Sequence, residues 1–116
     1  MKDEEHQHQV AVIKWFDLQY PSLRGRLYAS PNGGHRYKSV AVKLKAEGVR
    51  SGIPDLTLPV PNGGYHGMFI EMKTPKGRVT DTQKDWIDFL NAYGYYAVVC
   101  FGSDQARAEI KAYLER

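Results

Sequence analysis

Pro54-Asp55 and, after a glycine-containing turn, Glu71-Met72-Lys73 put two carboxyl groups and an ammonium group into one short stretch of chain. If the two segments are neighbouring strands, these groups meet at one edge. Side chains on a strand alternate between faces, so Glu71 and Lys73 point to one side while Met72 packs on the other. Paired carboxylate oxygens suit a hard cation such as Mg²⁺ or Mn²⁺, which keeps several waters and makes one of them a better nucleophile. A lysine beside that water can orient it and offset charge on a phosphate. The chemistry within reach is therefore metal-dependent hydrolysis of a phosphodiester. Taken alone the pattern is short, and a hairpin with a surface Glu-Lys pair would read the same.

The surrounding chain reads as helices alternating with strands. Residues 5–20 are expected to be helical, with Val10, Ile13 and Phe16 near 3.6-residue spacing and Pro21 enforcing the end. Leu27-Tyr28-Ala29 follows as a short strand, closed by Pro31-Asn32-Gly33-Gly34. Tyr37, Val40, Ala41 and Leu44 recur at i, i+3, i+4 and i+7, the stripe of a second amphipathic helix with Gly48 just past its end. Gly52 leads into a strand over residues 55–58, Pro61-Asn62-Gly63-Gly64 turns the chain, and residues 68–73 return. Thr80-x-x-Gln83 has capping-box spacing at the head of a third helix, whose apolar stripe is Trp86, Phe89, Leu90 and Tyr93 and whose stop is Gly94. The near-continuous apolar run over residues 95–101 predicts a strand buried on both faces at the centre of a mixed sheet. Ser103 is expected to cap a last helix that turns Ala106, Ile110, Tyr113 and Leu114 inward. The order describes an α/β fold, a mixed sheet flanked by helices.

Composition narrows the function classes. At 116 residues the chain has room for one domain, residues 1–116, able to bury roughly two thirds of its unfolded surface. No stretch approaches the ~20 apolar residues of a membrane span, and the N-terminal residues carry no secretory signal. One cysteine excludes an internal disulfide, and Cys100, after Ala97-Val98-Val99, reads as a buried thiol. A reducing, cytoplasmic location is expected. The formal charge of +3 is modest, but its distribution is uneven. Arg24, Arg26, Arg36, Lys38, Lys43, Lys45 and Arg50 crowd the segment before Gly52, with Glu47 the one acid among them. Such a run suits a polyanion that two carboxylates would otherwise repel, so Lys43, Lys45 and Arg50 are expected to hold phosphates. His6, His8, His35 and His66 lack the spacing of a zinc site, and no P-loop, dinucleotide fingerprint or Ser/His/Asp order is present.

The ordered set Gly48-Val49-Arg50-Ser51-Gly52-Ile53-Pro54-Asp55-Leu56, Phe69-Ile70-Glu71-Met72-Lys73, Gly77, Thr80, Gln83, Trp86 and Gly94 resembles the virus-type replication-repair nuclease (VRR-NUC) family, a branch of the PD-(D/E)xK nuclease superfamily. The resemblance runs over residues 5–116 and implies a restriction-endonuclease-like mixed sheet flanked by helices. Residue by residue, it implies that Asp55 and Glu71 bind metal, that the Met72 carbonyl adds a ligand, and that Lys73 and Gln83 serve catalysis. Gln83 thus has two readings, helix cap and active-site residue. Glu5 resembles the acidic residue on the first helix of related nucleases, which reaches the metal directly or through water. Glu4 competes for that role, and a plain acidic helix terminus fits as well. Tyr65 and His66, beside the Asn62-Gly63-Gly64 turn, could touch DNA or merely occupy a hairpin tip. The implied activity is a Mg²⁺- or Mn²⁺-dependent endonuclease on branched DNA, Holliday junctions included. It would act as a homodimer of small stand-alone chains typical of phage-encoded members, in the host cytoplasm. The alternative is a DNA-binding or replication-repair accessory module that keeps the fold without the chemistry.

Overall fold

The computed structural model describes residues 2–31 and 38–116. Helix α1 spans Lys2–Gln19, beginning about a turn earlier than the apolar stripe predicts. Its inner face is Val12, Ile13 and Phe16, with Val12 and Phe16 fully buried. Pro21 sets the end by driving Tyr20 out of helical geometry (φ −124°, ψ 71°), and Pro21–Leu23 closes as a 3-10 turn. Then follow β1 (Tyr28–Ala29), α2 (Lys38–Ala46), β2 (Leu56–Leu58), β3 (Met68–Lys73), α3 (Asp81–Ala92), β4 (Tyr96–Phe101) and α4 (Ser103–Leu114). Asp55, expected as the first residue of a strand, lies one residue before β2. No helix among the described residues is long and apolar enough to cross a membrane.

The strands form one mixed sheet in the order β1-β2-β3-β4, the first two pairings antiparallel and the last parallel. Leu56 faces Ile70 and Leu58 faces Met68, which fixes which side of β3 is apolar. Met68, Ile70 and Met72 join Val12, Phe16, Ile110 and Tyr113 in the core beneath α1 and α4. Glu71 and Lys73 alternate to the opposite face, the side of α3.

β4 lies at the edge of the sheet, not at its centre as its apolar run predicted. The run is apolar because helices cover the strand: α3 and α4 both pack against β4. Its free edge is closed by side chains. The Asn91 amide donates to Ala97 O (3.0 Å) and accepts from Ala97 N (2.9 Å), and Gln105 Oε1 accepts from Phe101 N (2.9 Å). Burial pushes the Cys100 thiol up to about 12, so this cysteine is an inert filler.

α2 ends as the sequence predicts. Gly48 takes φ 106°, Gly48 N donates to Lys45 O (3.1 Å) and Val49 N donates to Leu44 O (3.0 Å), the Schellman pair. The expected stripe is not buried, however: α2 has no buried residue, Val40 and Ala41 are exposed, and only Leu44 is half-covered. A 3.6-residue repeat gives helix and face but not whether a partner lies against that face. Tyr37, His35, Arg36 and the Asn32-Gly33-Gly34 turn lie outside the described residues.

Ser103 does not cap α4. Gly102 is the N-cap, at φ 99°, and makes no side-chain cap bond. The donor at the helix start is satisfied from α1, where His8 Nδ1 accepts from Ser103 N at 3.0 Å. Removing this long-range cap by His8→Ala should lower stability by about 1 kcal/mol. The urea midpoint of the variant, at unchanged slope, checks that value.

Candidate active site

Three segments converge on the α3 side of the sheet. The first is the loop into β2. Gly52 adopts φ 87°, and a Cβ there would lie 2.9 Å from the carbonyl carbon and oxygen of Thr82. Only glycine meets both the conformation and the space, and it seats the loop on the start of α3. Pro54 is buried behind it, and Asp55 turns its carboxylate to β3, where Oδ2 accepts from Met72 N at 2.8 Å.

The second segment is the end of β3. Glu71 is 1% exposed and Lys73 9%, both rare burials for charged side chains. Lys73 Nζ stands 3.8 Å from Glu71 Oε2. The third is the α3 N-terminus, where the capping box forms as its spacing predicts: Gln83 N donates to Thr80 Oγ1 (3.2 Å) and Thr80 N to Gln83 Oε1 (2.9 Å). The Gln83 amide has a second end, and its Nε2 donates to Glu71 Oε2 at 3.1 Å. Cap and site are therefore one arrangement. The box holds the amide rigid, and the rigid amide holds Glu71.

The electrostatics follow from burial. Glu71 is pushed up to about 9, first by loss of solvent, then by the charge of Asp55 and by the proton the two carboxyls can share, with Lys73 opposing. Asp55 is also raised by burial, against the Met72 N–H, the Glu71 carboxyl and Lys73. Glu71 Oε1 is buried with no hydrogen-bond donor. Two acidic groups are thus held together with one oxygen unserved, which costs free energy that a proton or a cation can relieve.

Glu5 borders this cluster. Its carboxyl is raised by burial and by the charge of Asp55, and Lys73 acts on it in the opposite sense. Glu4 instead stands 3.9 Å from His8. Among the described residues no group of three or more His, Cys, Asp and Glu side chains is gathered as a metal cluster. His8 is taken up by the α4 cap.

The basic residues lie on α2 and on the loop that follows it. Lys43 and Lys45 occupy the last turn of α2, and Arg50 lies on the loop toward Gly52, all exposed. Lys45 and Arg50 border a cleft whose far wall is Trp86. The sequence placed Trp86 in a core stripe with Phe89 and Tyr93, but Trp86 is only half-buried and the other two are exposed. Tyr65 is not a free tip residue: it packs edge-on against Tyr96 (5.2 Å) and lies 6.2 Å from Tyr113, with Arg116 over its ring. His66 stays exposed, edge-on to Tyr95 at 5.5 Å.

A comparison with curated proteins returns no match. A solved structure named "VRR_NUC domain protein" superposes with a TM-score of 0.85 at 33% sequence identity, over 97% of this chain and 88% of that one. The model of the VRR-NUC domain matches residues 3–104, so the chain belongs to the VRR-NUC domain family and carries a nuclease-type fold.

Proposed function

We propose that the chain is a Mg²⁺- or Mn²⁺-dependent endonuclease that hydrolyses DNA phosphodiesters at Asp55, Glu71 and Lys73. One observation carries the reading: a buried Glu71 carboxyl, with one oxygen unserved, held against a second carboxyl at Asp55. A structural ion pair has no use for two acids there, whereas a hard cation does. The donors are all oxygen, which suits Mg²⁺ or Mn²⁺ over zinc. Two carboxylates make a partial shell for an ion that retains waters. The Met72 carbonyl leaves β3 on the same side as its N–H, the side of Asp55, and would be a further ligand. Glu5, at the border of the cluster, would add its charge to the same site.

When bound, the cation lowers the pKa of a water and stabilises charge on the phosphate. The chain's own groups do the rest. Asp55 and Glu71 would hold the cation through their carboxylate oxygens, Glu71 giving up its proton to solvent as the cation enters. Gln83, fixed by its cap, keeps Glu71 Oε2 from turning away. Lys73, nearly dry and within 3.8 Å of Glu71, orients the attacking water and offsets charge on the phosphorane. Lys43, Lys45 and Arg50 hold the flanking phosphates. Replacing any one of the three by Ala should weaken binding equally on any sequence and flatten the slope of log affinity against log salt by about 0.9 per lost contact. Affinity across a salt series checks it.

The finer reading is branched DNA cut by a homodimer, since one chain carries one Asp55-Glu71-Lys73 set and symmetric incisions need two. The apolar side chains left on α2, Val42 at 61% exposure above all, supply surface for such contact. Cleavage of linear, flapped and four-way DNA with Mg²⁺, Mn²⁺ and EDTA, beside light scattering, tests both levels. Metal-dependent cutting in paired, symmetric positions by a dimer is expected. No cutting of any substrate with either metal would end the nuclease reading.

A further inference from the structure

Between α2 and α3 lies a cleft of about 360 Å³, at the low end of the size range of small-ligand sites, about 300–1,000 Å³. Its walls are Trp86, Leu44, Ala41 and Val49, with Lys45 and Arg50 beside them. It therefore combines an indole side chain, aliphatic walls and two exposed cations. That is the composition of a site for a flat aromatic group carried on a polyanion: stacking takes the ring and the cations take the phosphates.

The cleft's position ties it to the catalytic edge from both sides. Trp86 follows Gln83 by three residues, a rise of about 4.5 Å along α3, and Gln83 holds Glu71. On the other wall, Arg50 and Ser51 lead through Gly52, pressed on Thr82, into Pro54-Asp55. A group seated on Trp86 would thus lie beside the elements that carry Gln83 and Asp55. A second copy of the chain has better purchase elsewhere, since Val42 lies on the opposite side of α2 from Leu44.

We infer that this cleft receives an unpaired nucleobase of the bound DNA, stacked on Trp86, with its neighbouring phosphates on Lys45 and Arg50. The inference rests on the nuclease reading for the strand it serves, and it supplies that reading with a source of structure selectivity. A base inside a duplex must first unstack to enter, whereas one at a branch, flap or mismatch enters freely. Stacking on one aromatic side chain is worth roughly a 5- to 150-fold gain in affinity.

The test is equilibrium binding in EDTA to two short duplexes, one fully paired and one with a single unpaired 2-aminopurine. Two variants accompany the wild type: Trp86→Leu, which removes the stacking face, and Ala41→Phe, which fills the cleft from an exposed position that the core does not need. The wild type should quench the 2-aminopurine and favour its duplex roughly 5- to 150-fold. Both variants should lose the quenching and the preference, with fully paired affinity unchanged within about two-fold. Equal wild-type affinity for the two duplexes, or a preference that survives in both variants, would overturn the inference. So would a wild-type dimer that Ala41→Phe dissociates while base preference persists, since the cleft would then belong to a second copy. Cutting of the paired duplex with Mn²⁺ is read separately: if no protein cuts while the preference stands, the nuclease reading fails and the base site remains.

Discussion

Asp55→Asn should fold like the wild type and cut no DNA. The amide keeps an oxygen to accept from Met72 N, now at 2.8 Å from Oδ2, so the join between β2 and β3 survives. What is lost is the charge that a divalent cation needs. Asp55→Ala should be equally inactive and also less stable by about 1–2 kcal/mol, because the Met72 N–H loses its partner. Lys73→Ala separates binding from chemistry. It should retain Mn²⁺ affinity and lose cleavage rate by roughly 10²-fold or more, the cost of removing a preorganised charge-stabilising group. Single-turnover kinetics beside metal titration would resolve these outcomes, and wild-type rates in Asp55→Asn would refute the assignment.

A second large effect concerns pH. Glu71 is raised in the folded protein from its ordinary 4.5 to about 9. The folded chain therefore holds a proton that the unfolded chain has released, and the stability Glu71 contributes is full below about 4.5 and is lost as pH rises toward about 9. The loss runs on as long as Glu71 is protonated in the folded chain and ionised in the unfolded one. Without divalent metal the melting temperature should drop markedly from pH 5 to pH 9. Glu71→Gln, which cannot ionise, should flatten that dependence. Mn²⁺ should restore stability, and more so at high pH, because it replaces the proton between Asp55 and Glu71. Thermal melts across pH, with Mn²⁺ and with EDTA, check the sign directly.

Some of this was legible in the sequence for local reasons. Alternation along β3 put Glu71 and Lys73 on one face and Met72 on the other. The Thr80-Gln83 spacing announced the capping box, and Gly48 announced the end of α2. What failed depended on distance. The apolar run of β4 reports burial, and burial by two helices looks the same in sequence as burial between two strands. His8 and Ser103 are 95 residues apart, so no local pattern could exchange the Ser103 cap for an imidazole. The stripe on α2 gave a helix but could not show that its face would stay open. Trp86 looked like core because a half-buried wall of a cleft has the same spacing as a buried stripe. The two readings of Gln83 proved compatible, since its oxygen serves the cap and its nitrogen serves Glu71.

Asp55 and Glu71 together receive a divalent cation at one active site, and with Glu71 raised above its ordinary value the cation enters in place of a proton. Calorimetric titration of Mn²⁺ near neutral pH, in two buffers of different ionisation enthalpy, tests it most directly. The wild type should bind with release of close to one proton, and Glu71→Gln should lose both the proton release and most of the affinity. Equal Mn²⁺ binding by wild type and variant, or binding with no proton released, would contradict the claim.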